Sequence, residues 1–117
     1  MPRSIQARLV LVTAEDEEQA RKIAHTLVDE RLAACVNILG PLRSVYLWQG
    51  AVHDEREQLL LIKSRAALYS KLERRIKQLH SYETPEIIAV PIAGGLRAYL
   101  DWIFASTNPR PITAKSR

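Results

Sequence analysis

Three groups of residues have types and spacings that could carry chemistry. The densest is His80-Ser81-Tyr82-Glu83-Thr84-Pro85-Glu86. It places an imidazole, a phenol and two carboxylates in one short run. Such groups suit a hard or borderline divalent cation, or a polar ligand. Pro85 stiffens the backbone that holds them. His80, Glu83 and Glu86 are the candidate metal ligands, although one His and two carboxylates make no strong metal site by themselves. The same run also reads as a helix end decorated with surface acids. The second group is Cys35, with His25, His53 and His80 as prospective partners. A thiolate beside an imidazole is a nucleophile or a soft-metal site. Within Ala33-Ala34-Cys35-Val36 it reads equally as a small buried hydrophobe. The third group is Tyr46-Leu47-Trp48-Gln49-Gly50. Two aromatics there suit a subunit interface more than a ligand platform.

Most enzyme classes with legible signatures are absent. There is no P-loop, no G-x-G-x-x-G, no H-E-x-x-H and no G-x-S-x-G. One Cys in 117 residues allows neither an internal disulfide framework nor a multi-cysteine zinc site. A thiol enzyme built on Cys35 lacks an evident oxyanion donor. The apolar runs fall far short of the roughly 20 residues that span a bilayer, and the N-terminal stretch makes a poor signal peptide. The expectation is a cytoplasmic protein with no membrane partner.

The net charge of +4 invites a nucleic-acid reading, but its distribution argues against one. Arg3, Arg8, Arg110, Lys115 and Arg117 lie near the ends. Without those five, 12 basic residues face 13 acidic ones. One local excess remains, where Lys63, Arg65, Lys71, Arg74, Arg75 and Lys77 meet only Glu73. That run is either an anion patch or the polar face of a helix.

The elements that must position these groups follow from periodicity. Residues 5–13 end in a continuous aliphatic run, as in a strand buried on both faces. Thr13 followed by acids predicts a helix over 15–31, with Ala20, Ile23, Ala24, Leu27 and Val28 as its stripe. Residues 32–39 predict a second strand, with an edge bend or bulge at Gly40-Pro41. Residues 43–48 and 57–63 predict a long hairpin turning at Gln49-Gly50. Ser64 then caps a helix to about His80, with Leu68, Leu72, Ile76 and Leu79 on one face. Residues 86–93 predict an edge strand containing Pro91, and a third helix runs from Leu96 to about Ser106. The expectation is one domain over 1–106, with 107–117 a loose basic tail.

Continuous aliphatic runs place the first and third strands centrally. Prolines place the second and fourth at the edges. The order 4-1-3-2 is the ferredoxin-like βαββαβ sandwich, an α+β fold, here with a long hairpin arm and a C-terminal helix. The arm 43–56 has too little sheet behind it to cover Val45, Tyr46, Leu47 and Trp48. Such surface invites a second copy, and three copies make the simplest closed ring beyond a dimer.

Several blocks resemble the CutA family of divalent-cation-tolerance proteins. They are Glu30-Arg31-Leu32-Ala33-Ala34-Cys35-Val36-Asn37, Tyr46-Leu47-Trp48-Gln49-Gly50, Leu60-Leu61-Ile62-Lys63, His80 to Ile88, and Tyr99-Leu100-Asp101-Trp102-Ile103. The resemblance implies a cytoplasmic homotrimer joined through the arms and a link to copper or other divalent cations. It implies no enzymatic activity and no required cofactor. It also implies clefts between subunits that gather Cys35, Tyr46, Trp48, His80, Tyr82 and Glu83. Its architecture is similar to that of PII-type signal proteins, so an anionic small ligand is the alternative expectation. Where the family often has Pro, this chain has Ser81, which implies a looser turn. Gln49 and Ala51 replace a charged pair that is common at the arm's turn. Some members are described as holding copper through a Cys and a His pair, where this chain has Val12, Leu79 and only His80. His80 with Glu83 or Glu86 would then give a weak cation site unless a neighbouring subunit adds ligands.

Overall fold

A computed structural model describes residues 6–108. The elements are β1 (Ala7–Ala14), α1 (Glu17–Asp29), β2 (Cys35–Trp48), β3 (Ala51–Arg65), α2 (Tyr69–Leu79), β4 (Ile87–Pro91) and α3 (Arg97–Ser106). The sheet order is β2-β3-β1-β4, and every pairing is antiparallel. This is the expected ferredoxin-like order, with β1 and β3 in the centre.

Alternation along the strands sorts side chains onto two faces. Val10, Val12, Ala14, Leu60 and Ile62 are fully buried. They meet Ala20, Ile23, Ala24 and Leu27 of α1 and Leu72 and Ile76 of α2. Ala7 lies on the opposite face and packs with Leu100 and Ile103 of α3. Beyond α3, that second face carries Leu39, Ile88 and Val90, all exposed.

Several local expectations change. Thr13 lies within β1, and the cap of α1 is Asp16, whose carboxylate accepts the Gln19 N–H at 2.8 Å. Asp wins because it sits one residue before the first helical turn, where the free N–H groups point. Ser64 is no cap either. It is buried in β3, and its hydroxyl donates to the Leu32 carbonyl at 2.7 Å. A 3-10 turn at Ala66–Leu68 leads into α2 instead. β2 starts at Cys35, three residues late, because Leu32 to Ala34 are buried in the connection from α1. It continues past the cis Gly40-Pro41 peptide, with a register shift between Leu39 and Leu42.

Thr107 is not the start of a loose tail. It is buried, its hydroxyl donates to the Ile103 carbonyl, and the Arg65 guanidinium donates to its carbonyl. The rest of the tail expected over 107–117, residues 109–117, lies outside the described residues.

β1 ends opposite Gln58, but β2 and β3 stay paired out to Trp48 and Ala51. The outer hairpin therefore projects as the expected arm. Gln49 and Gly50 both have positive φ, at 52° and 81°. That is the two-residue turn whose twist matches the strands. Val45, Leu47 and Val52 are 67%, 70% and 74% exposed on the arm.

Ser64 supplies a test of the interior. Ser64→Ala leaves the Leu32 carbonyl without its side-chain donor and should cost about 1–3 kcal/mol. Guanidinium denaturation measures this, and a loss below about 0.5 kcal/mol would place Ser64 among ordinary surface positions.

Candidate functional site

A cleft of about 780 Å³ opens where the arm leaves the sheet. Ser44, Val45, Tyr46, Trp48 and Gln49 line one side, Tyr82 to Glu86 the other, and Thr13 and Glu57 the sheet end. The structure thus brings Tyr46, Trp48, Tyr82, Glu83 and Glu86 together within one chain. Glu57 is the residue that sequence reasoning missed. It is only 5% exposed, and its Oε2 accepts the Tyr82 hydroxyl at 2.8 Å. Alternation placed it in line with Leu59 and Leu61. Its burial depends on Tyr82, which is distant in sequence.

The 80–86 turn is tied down at several points. His80 is 8% exposed. Its Nε2 lies 2.7 Å from the Thr13 carbonyl, and its Nδ1 lies 3.1 Å from the Tyr82 backbone N. Its ring packs on Tyr82, with centroids 4.8 Å apart. The Ser81 N–H donates to Gln19 Oε1 at 2.6 Å, and its hydroxyl donates to Glu15. The amide of Gln19 in turn donates to the Leu79 carbonyl at 3.3 Å. Ser81 therefore does not loosen the turn, since it makes a backbone bond that a proline has no N–H to make.

The cleft is acidic and aromatic. Burial pushes the Tyr82 phenol far above its ordinary range, and the hydrogen bond to Glu57 and the charges of Glu57, Glu15 and Glu55 push it the same way. The Tyr46 hydroxyl donates to Glu55 at 2.7 Å, and chiefly this bond raises its phenol too. The Tyr46 ring stacks on His53, with centroids 5.2 Å apart.

Cys35 stands apart. It pairs with Lys63, which pairs with Leu9, whereas the cleft begins at Thr13. Four residues of strand separate the two levels by about 13 Å. The neighbours of Cys35 are the Lys63 ammonium, 4.0 Å from Sγ, and the Tyr99 phenol, which is raised by burial first and then by the thiol. No histidine partners it: His25 lines a groove between α1 and β2, His53 lies on the arm and His80 contacts Thr13. The Cys–His arrangement considered from sequence is therefore not formed in the chain.

The metal set is not assembled either. Among the described residues, no group of three or more His, Cys, Asp or Glu side chains is placed to hold a metal ion. Both nitrogens of His80 are engaged, so it joins Glu83 and Glu86 only if a hydrogen bond breaks. The basic run also disperses. Lys63 binds Asn37, Arg65 binds Thr107, and Arg75 pairs with Glu30 at 2.9 Å. Arg74 and Lys77 line a second groove beside Glu73 and Glu83.

Fold and cleft together define a ferredoxin-like chain with an acidic, aromatic recess between a hairpin arm and a proline-braced turn. Residues 8–106 match the family described as "CutA1 divalent ion tolerance protein", and the chain belongs to that family. It is 54% identical over 100 residues to the divalent-cation tolerance protein CutA of Thermus thermophilus, covering 86% of this chain and 97% of that one. It is 42% identical to the chloroplastic CutA of Arabidopsis thaliana, covering 91% of this chain but 58% of that longer protein. A solved structure of the Thermus thermophilus protein superposes with a TM-score of 0.86 at 52% identity, covering 87% of this chain and 99% of that one. The structure of CutA1 from Oryza sativa gives 0.87 at 40%, covering 92% and 98%.

Burial of the Tyr82 phenol, and then its bond to Glu57, set a pH dependence. The unfolded chain releases the Tyr82 proton near pH 10, where the folded chain keeps it. The stabilisation is full below about pH 10 and is lost as pH rises beyond it. Tyr82→Phe should therefore show a shallower fall in stability from about pH 10 to 12. Denaturation at stepped pH measures this, and equal slopes would contradict the buried phenol.

Proposed function

We propose that the chain works as a non-enzymatic, cation-responsive homotrimer of the CutA type, with its clefts completed where two copies meet. One observation carries the reading: the acidic recess of Glu57, Glu83 and Glu86 opens directly beside an arm whose apolar side chains are left uncovered by the described residues. A contiguous exposed apolar surface of this kind marks an interface. A head-to-tail contact that closes makes a ring, and three is the simplest ring beyond a dimer.

The charge of the recess favours a divalent cation, copper included, or a cationic small ligand. Among the described residues, three carboxylates line it and no Lys or Arg does. Within one chain the carboxylates make an incomplete shell, so a neighbour's groups would finish it. Cys35, on another part of the surface, is the group a neighbour could bring. An anionic ligand of the PII type finds less support. Three of the six cations expected to greet it are spent on Asn37, Thr107 and Glu30.

The cytoplasmic placement rests on the sequence alone. Among the described residues no helix is long and apolar enough to cross a membrane. Named relatives include chloroplastic plant proteins and a periplasmic archaeal one.

Calorimetry with Cu(II) and Zn(II) tests the reading. The intact protein should bind, and Glu83→Gln with Glu86→Gln should weaken binding about tenfold or more. Leu47→Asp, a change in an arm residue outside the cleft, should weaken it as well by disrupting the interface. An intact protein that takes up neither ion, or a double variant that binds as before, overturns it.

A further inference from the structure

His80 has two nitrogens and two backbone partners, and only one protonation state satisfies both. The Thr13 carbonyl can only accept, so Nε2 carries the hydrogen. The Tyr82 N–H can only donate, so Nδ1 is bare. The opposite tautomer would set a lone pair against the Thr13 oxygen and a hydrogen against the Tyr82 N–H. An imidazolium would leave the second of those clashes. A metal on either nitrogen would displace Thr13 or Tyr82 and strand a buried polar group.

The bonds continue past the imidazole. Tyr82 takes its backbone position from His80 Nδ1, and its hydroxyl reaches Glu57. Thr13, Tyr82 and Glu57 all line the cleft. His80 sits behind them, and its ring packs on that of Tyr82. A ligand's partners in an outer layer orient it in this way.

We propose that His80 is a positioning residue of the cleft and not a ligand in it: as the Nε2–H tautomer it hangs Tyr82 from the end of β1, and through Tyr82 it holds the Glu57 carboxylate in place. The proposal deepens the cation-cleft reading and rests on it for any effect on affinity. The hydrogen-bond roles can be judged without that reading.

Two variants separate the two nitrogens. In His80→Asn the side-chain oxygen can stand where Nδ1 stood and accept the Tyr82 N–H, while the Thr13 bond is lost. In His80→Gln the amide nitrogen can stand where Nε2 stood and donate to Thr13, while the Tyr82 bond is lost. A long-range proton–nitrogen NMR spectrum of the intact protein should show one protonated and one bare nitrogen for His80 at neutral pH. Saturating Zn(II) should leave both signals unmoved. By calorimetry, His80→Gln should lose Zn(II) affinity by about tenfold or more, and His80→Asn, which keeps the Tyr82 bond and loses the Thr13 one, should lose less. Amide exchange at Tyr82 should quicken in His80→Gln and not in His80→Asn.

A His80 nitrogen that shifts on binding Zn(II) makes it a ligand and overturns the proposal. So does the reverse order of the two variants, or a His80 with both nitrogens protonated. If the parent protein takes up no Zn(II), the cation reading fails by itself. The tautomer and the Tyr82 exchange then decide the positioning role, and either one departing from expectation overturns it. If a variant does not fold, the tautomer and Zn(II) response of the parent still decide.

Discussion

β1 runs out at Ala14, opposite Gln58, while β2 and β3 go on pairing to Trp48 and Ala51. A two-stranded ribbon has no third strand and no helix to cover it, and alone it is marginal in water. This one carries Val45, Leu47 and Val52 on its surface. Burial of apolar area is worth roughly 25 cal/mol per Å², so leaving these side chains wet forfeits stabilisation that a neighbour would recover. In the proposed trimer, the length of the arm is what makes the sandwich one unit of a larger assembly. It also raises one wall of the cleft, so surface and site share one cause.

The other wall depends on a chain of hydrogen bonds. Thr13, next to last in β1, offers its carbonyl to His80. His80 holds the Tyr82 backbone, and Tyr82 reaches across to Glu57 on β3. Gln19 of α1 and Glu15 just ahead of that helix brace the same turn at Ser81. Buried polar networks of this kind are stable only when every member is satisfied. Among the described residues no buried side-chain polar atom lacks a partner. The result is a stiff acidic recess, with its carboxylates set by the backbone of a proline-braced turn.

Much of the fold was legible in the residues. The aliphatic runs at 9–12 and 59–62 marked central strands, and Pro41 and Pro91 marked the edges. Those cues come from chain-local physics: a central strand is buried on both faces, and proline cannot donate to a ladder. The caps were less legible. Thr13 and Ser64 have the right chemistry for capping, but both were claimed by strands whose ends depend on tertiary pairing. The aromatic and acidic residues of the cleft were also legible, because Tyr46, Trp48, Tyr82, Glu83 and Glu86 sit on two compact segments. Glu57 was not, since nothing near it in sequence signals a buried carboxylate. His80 was legible as special but not in its role, which depends on a carbonyl 67 residues away.

The claim on which the rest depends is that the arm is covered by another copy of the chain. Sedimentation of the intact protein at micromolar concentration tests it most directly. A covered arm requires a single species of three times 13.3 kDa that persists on dilution. A compact, stable species of 13.3 kDa would contradict it, because the arm would then be tolerated bare and the cleft would have no neighbouring groups to gain.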